Sequence, residues 1–164
     1  MKTLILVRHA KSSWDNEGLA DHERPLNKRG LRDAPKMAAV FSGRNIEPQT
    51  IYSSHAVRAF TTAKHFAEVL NYPEHDIMIR EDIYNGYEKS VIKLIKKHTD
   101  NEDAIMLFGH NPTFTHLATY LTGKYFDNVP TCGVVCIDFD VGTWKDIEKE
   151  NGKLRFFDYP KKFK

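Results

Sequence analysis

The sequence predicts an α/β fold: a three-layer arrangement with a mostly parallel central sheet, helices on both faces, and an antiparallel strand or hairpin at the C-terminal side. Two observations carry this. From the N-terminus to residue 122, short apolar runs of strand character alternate with stretches whose apolar residues recur every three or four positions. The ending is different: "GVVCIDFDVGTWKDIEKENGKLRFFDYP" reads as two strands joined by a charged, turn-rich loop. One domain over residues 1–164 accommodates both features, because the chain can bury a proper core and contains no repeat, low-complexity stretch or linker.

The elements follow in order. Leu4–Val7 is a continuous apolar run that stops at Arg8-His9. A helix over Gly30–Gly43 carries Leu31, Ala34, Met37, Ala38 and Phe41 on one face. Strand Thr50–Ser53 leads to a helix over Ala56–Leu70, with Ser54 as its expected cap. Ile77–Ile79 is a short strand, and Ser90–His98 a short helix with Val91, Leu94 and Ile95 inward. Strand Ala104–Phe108 precedes a helix over Pro112–Thr122; proline suits the first helical position and Gly123 the stop. Val134–Phe139 and Leu154–Phe157 form the closing pair.

Composition excludes several classes. A net charge of +2 and a pI near 8.4 give too little positive field for a nucleic-acid binder, and the basic "YPKKFK" reads as a solvated end. No apolar run approaches the roughly 18 residues of a membrane span. Five apolar residues before Arg8 are fewer than the about 7–15 of a signal-peptide core, so a cytoplasmic location follows by default. Cys132 and Cys136, four apart in a strand, would sit about 13 Å from one another, beyond disulfide reach, and read as packing residues.

In open α/β sheets, ligands bind beyond the carboxyl ends of the strands. The first strand ends there in Arg8-His9. The second runs into "SSHAVRAFTTA", with Arg58 one turn into a helix, and the fourth ends in "FGHNP", with His110 before a helix start. Two guanidinium forks suit a tetrahedral oxyanion, phosphate above all. The two helix N-termini add oriented N–H groups. An imidazole among cations stays neutral near pH 7, and a neutral imidazole can attack phosphorus.

"LVRHAKSSWDN", "RPLNKRG", "SSHAVRAFTTA" and "GHNP" together resemble the successive signatures of the histidine phosphatase superfamily, the phosphoglycerate mutase-like fold. Compact length and "RPLNKRG" make the chain most similar to the small SixA-type phosphohistidine phosphatases. The resemblance implies His9 as nucleophile, in an "RHA" that replaces the commoner arginine–histidine–glycine. It implies Arg8 and Arg58 as phosphate-binding arginines, His110 as the second histidine, and Ser12 as a hydroxyl near the phosphate. Where many relatives carry asparagine after the tryptophan, this chain has Trp14-Asp15-Asn16, leaving the role of Asp15 and Asn16 open.

The resemblance also implies a carboxylic acid that protonates the leaving group, in "IREDIYNGYEKS". Glu81 and Asp82 both fit; "DI" favours Asp82, and a solvated loop carboxylate is the plain alternative. An alcohol leaving group gains about 10²–10⁴-fold from such an acid, whereas an imidazole leaves a phosphohistidine with little help. Under twenty residues separate Ala63 from this region, so no inserted lid is expected and the pocket is open.

The expected activity is therefore that of a metal-independent phosphohydrolase with no metal or nucleotide cofactor, passing through a phosphohistidine enzyme. Its substrate is a phosphohistidine protein or a small phosphoester, with neither nucleic acid nor membrane as partner. The rivals are a small-molecule phosphatase or mutase, and a phosphopeptide-binding module without turnover. Lys11 and Trp14 read as rim residues. Arg24 and Arg29 either steer an acidic partner or fix the start of the helix. His55 follows the second strand and approaches the rim; the other histidines read as surface groups.

Overall fold

Continuous apolar sequence places a strand in the middle of a sheet, and β1 (Lys2–Arg8) lies there. It pairs in parallel with β4 (Ala104–Gly109) and antiparallel with β5 (Val134–Phe139). In the computed structural model, which describes residues 1–163, β2 (Thr50–Ser53), β3 (Met78–Ile79) and β6 (Gly152–Asp158) complete one sheet of order β3-β2-β4-β1-β5-β6. β1 through β4 are parallel, and β5 and β6 form the antiparallel pair. The strand bounds follow the sequence reading closely.

Alternation along β1 divides the core. Ile5 and Val7 join Met106, Phe108, Met37, Phe41 and Phe66 on the face covered by α1 (Lys28–Ser42) and α2 (Val57–Val69). Leu4 and Leu6 point the other way, to Leu107, Phe114, Leu117 and Trp144. α3 (Asp82–Asn85), α4 (Glu88–Lys96) and α5 (Thr113–Thr122) lie on that side. Each face is apolar and buried, so the ends of β1, β2 and β4 are held as one rigid edge. No helix among the described residues is long and apolar enough to cross a membrane.

Two local expectations are corrected. Ser54 does not cap α2 in the ordinary way: Ala56 takes the capping position, and Ser54 Oγ accepts the Ala56 N–H at 3.0 Å, closing a tight turn before the helix. Cys132 is not in β5 but precedes it with φ 60°, where its N–H donates to the carbonyls of Arg8 and His9, both at 3.0 Å. Both cysteines are buried and free. A short 3-10 turn at Asp21–Glu23, which apolar periodicity does not reveal, stands over the end of the sheet.

Candidate active site

Strand register builds the centre of the site. Arg8 of β1 is opposite Gly109 of β4, so the residues just past those strands, His9 and His110, emerge side by side. The His9 N–H donates to the Gly109 carbonyl at 3.0 Å, and the two imidazole rings lie 5.1 Å apart. Gly109 is required here, because a Cβ would meet the Phe114 ring at 2.4 Å and Ile83 at 2.8 Å. Arg8 and Arg58 enter from either side and line, with both histidines, one cavity of about 570 Å³.

The backbone beneath His9 is clamped by "RPLNKRG". Asn27 accepts the Gly30 N–H through its side chain (2.9 Å) and donates its own N–H to the Lys11 carbonyl (3.0 Å). Gly30 packs so closely that a Cβ would stand 2.2 Å from that same Lys11 oxygen. Arg24 is buried, donates to Ser12 Oγ at 3.0 Å, and stacks 3.5 Å from the centre of the Trp14 ring. Thr62 Oγ1 accepts the Ala10 N–H and donates to the Arg58 carbonyl, tying α2 to the same loop. Between the two readings of the motif, Arg24 belongs to the clamp, while Arg29 stays exposed.

The tautomers follow from the partners. A carbonyl oxygen only accepts, so His9 Nδ1, 2.7 Å from the Ala10 carbonyl, carries the proton and Nε2 keeps its lone pair. His110 Nε2 lies 2.8 Å from Ser54 Oγ, whose hydrogen has no other acceptor among the described residues. Ser54 therefore donates to Nε2, and His110 Nδ1 is an N–H donor. Burial, then the neighbouring His110, Arg58 and Arg8, hold the His9 pKa well below the usual histidine value. Burial and Arg58 push His110 down to about 3. Both rings are neutral at pH 7.

Three donors here have no partner among the described residues: Arg8 Nε, Arg58 Nε and His110 Nδ1 are all buried and unbonded. An unsatisfied buried donor costs about 1–3 kcal/mol, so three on residues that line one cavity mark a binding place for acceptor oxygens. A tetrahedral oxyanion fits that set.

The acid region differs from expectation. Glu81 and Asp82 are exposed residues at the start of the one-turn helix α3; neither lines the cavity. Helical rotation brings the following turn, Tyr84 and Asn85, to the cavity instead. The carboxylate that does line it is Asp21, which sequence reasoning missed. Its Oδ2 accepts from Arg58 Nη2 at 2.9 Å and from the Tyr84 hydroxyl, and its carbonyl accepts Arg58 Nη1 at 2.7 Å. The Tyr84 bond, then Arg58, hold its pKa far below the carboxylate range, so Asp21 is ionised. Ser12, Lys11, Trp14 and Arg24 also line the cavity; Asp15 and Asn16 do not. His55 is packed against Tyr84, with ring centres 4.8 Å apart, behind the wall.

Parallel strand ends and a helix start that deliver two guanidiniums and two neutral imidazoles to one cavity define an α/β protein built to handle phosphoryl groups. Residues 4–85, half of the chain, match the model of the histidine phosphatase superfamily (branch 1), and the chain belongs to that family. An uncharacterized Mycobacterium leprae protein is 30% identical over 168 residues, spanning 94% of this chain and all of that one. A crystal structure from Agrobacterium tumefaciens, described as a "putative phosphohistidine phosphatase SixA", superposes with TM-score 0.84 at 27% identity, covering 97% of this chain and 98% of that one. The protein histidine phosphatase SixA complexed with tungstate shares the fold at TM-score 0.85 and 20% identity, with 99% of both chains covered. Family and SixA-like structure point to phosphatase activity.

Proposed function

We propose that the chain is a metal-independent phosphohydrolase that removes the phosphoryl group from phosphohistidine on a protein. What supports this most is the set of unbonded donors, Arg8 Nε, Arg58 Nε and His110 Nδ1, around the lone pair of a neutral His9. His9 Nε2 attacks phosphorus; the P–N bond breaks, and its electron pair stays with the departing imidazole, which takes a proton from water. Arg8, Arg58 and His110 hold the three equatorial oxygens as charge builds on them. Water then attacks phospho-His9, giving inorganic phosphate and returning the free ring.

The substrate class rests on the leaving group. Among the described residues, the carboxylate in the cavity is Asp21, ionised by Tyr84 and Arg58, and an ionised carboxylate has no proton for a departing alkoxide. Imidazole departs without such help. The mouth is open, which suits a side chain borne on another protein. This favours phosphohistidine over the sugar-phosphate and mutase readings; the presence of His9 weighs against a module that binds without turnover.

The test compares one phosphohistidine protein with p-nitrophenyl phosphate and phosphoserine peptide, with and without chelator. The expected result is chelator-insensitive turnover, with kcat/KM at least about 100-fold higher for phosphohistidine than for phosphoserine. Equal or faster phosphoserine turnover overturns the substrate class, and no phosphate release from any substrate overturns the activity.

A further inference from the structure

Beside the catalytic cavity, and sharing Arg8, Lys11 and Thr131 with it, runs a second groove of about 760 Å³ between α1, the loop at 128–131 and the turn at Tyr159–Lys161. Five cations besides Arg8 line it: Lys11, Arg29, Arg32, Lys36 and Lys161. Its lining carries one carboxylate, Asp33, which is buried. Asp33 lies 3.9 Å from Arg29 and 3.5 Å from Arg32, both arginine side chains being at least half exposed. Lys36 donates to the Pro160 carbonyl, a neutral partner. The groove therefore keeps a large excess of positive charge.

Part of that charge is placed unfavourably for the helix that carries it. Arg29, Arg32 and Lys36 share one face of α1, whose first turn holds no acidic residue. Of the three, Arg29 lies in the first turn, where a cation opposes the macrodipole. The protein's overall charge of +2 shows that such an excess is local.

We propose that this groove docks an acidic, extended segment of the phosphoprotein substrate while its phosphohistidine occupies the catalytic cavity. Arg29 and Lys36 are seven residues apart, about 10 Å along the helix axis. About three residues of extended chain cover that distance, so alternate acidic side chains meet successive cations. A diphosphate is too short to engage both ends. The continuity through Lys11 and Thr131 lets one chain reach from the phosphohistidine into the groove. This rests on the substrate class proposed above.

The experiment uses two phosphohistidine peptides, one with four glutamates on one flank and one with four glutamines there, plus p-nitrophenyl phosphate as a small probe. The acidic peptide is expected to have a KM about tenfold lower at low salt, with equal kcat, and the gap closes at high salt. Arg29→Gln/Arg32→Gln/Lys36→Gln closes it while p-nitrophenyl phosphate turnover stays within twofold. Because Asp33 loses partners in that variant, Lys36→Glu/Lys161→Glu provides a second one that leaves both arginines intact. Equal KM values for the two peptides in the native protein overturn the proposal. So does pyrophosphate, rather than the acidic flank, proving the ligand whose competition against p-nitrophenyl phosphate depends on Arg29 and Lys36. A fluorescent unphosphorylated glutamate peptide, read by anisotropy, needs no turnover. Salt-sensitive binding lost in both variants sustains the groove even if phosphohistidine is not hydrolysed, and absent binding counts against it.

Discussion

The two walls of the catalytic cavity are built on different principles. One wall is Arg8, His9, Arg58 and His110, carried on strand ends and the first turn of α2, with His9 and Arg58 buried and each backbone fixed by sheet or helix bonds. The other is Asp21, Tyr84 and Trp14, carried on a 3-10 turn, a one-turn helix and a loop; Asp21 and Trp14 are exposed. The first wall holds its groups where reaction geometry demands sub-ångström placement. In the proposed reaction the second meets whatever bears the phosphoryl group. Chemistry in that reaction thus falls to the sheet edge, and substrate contact to the loops and short helical turns.

The sharpest way to break this division is at the rigid wall. His9→Ala removes the lone pair at Nε2, and kcat is expected to fall at least about 10³-fold, with no acid-labile phosphoenzyme trapped from labelled substrate. A variant that still carries label would relocate the nucleophile. Arg58→Ala comes next, at about 10²–10³-fold in kcat/KM, since it deletes an oxyanion donor and frees Asp21 together. Arg58→Lys restores charge but not the fork, and less than tenfold recovery is expected.

A structural substitution sharpens the same contrast from below. In Gly30→Ala the new methyl group collides with the Lys11 carbonyl at 2.2 Å, and that oxygen is main chain. A loss of about 2 kcal/mol or more is expected in denaturant unfolding. The loop carrying His9 is also displaced, so activity measured on the folded fraction falls too. Unchanged activity per folded molecule would mean that the clamp serves stability alone.

The histidines of the rigid wall also set a pH signature. Their folded pKa values lie below the ordinary 6.5, so the unfolded chain binds protons that the folded one refuses. Stability contributed this way is fully present above pH 6.5 and falls as pH drops below it, by roughly 1 kcal/mol per pH unit for each histidine. Thermal unfolding between pH 7.5 and 5 measures it. His110→Gln is expected to flatten the slope by one proton; an unaltered slope would place the linked protons elsewhere.

Legibility in the sequence divides along the same line. Strands were readable because a sheet buried on both faces demands continuous apolar runs; Arg8, His9 and His110 were readable because they stand at the ends of such runs, and Arg58 because it opens the helix that follows one. The cavity now gathers all four, although their separations in sequence carry no distance information. Asp21 was not readable: "DHERP" has no apolar period, and its carboxylate gains meaning only by facing Arg58, 37 residues away. Glu81 and Asp82 drew attention through position after a strand. The helix they begin then rotates their side chains outward and brings Tyr84 round in their place.

The smallest predicted effect tests the second wall directly. Asp21 accepts from Arg58 through both carboxylate and carbonyl, so an incoming phosphoryl oxygen competes with a group already on the fork. Asp21→Asn keeps the shape and the carbonyl bond but removes the negative charge beside the anion. If Asp21 supplied the proton to the leaving group, this change would lower kcat for phosphoserine by about 10²-fold or more. Held ionised by Tyr84 and Arg58, it supplies none. The expected result is a severalfold lower KM for phosphohistidine, kcat within about threefold, and no new acid limb between pH 5 and 8. A collapse of kcat confined to the ester substrates would instead make Asp21 the acid and return alcohol leaving groups to the substrate range.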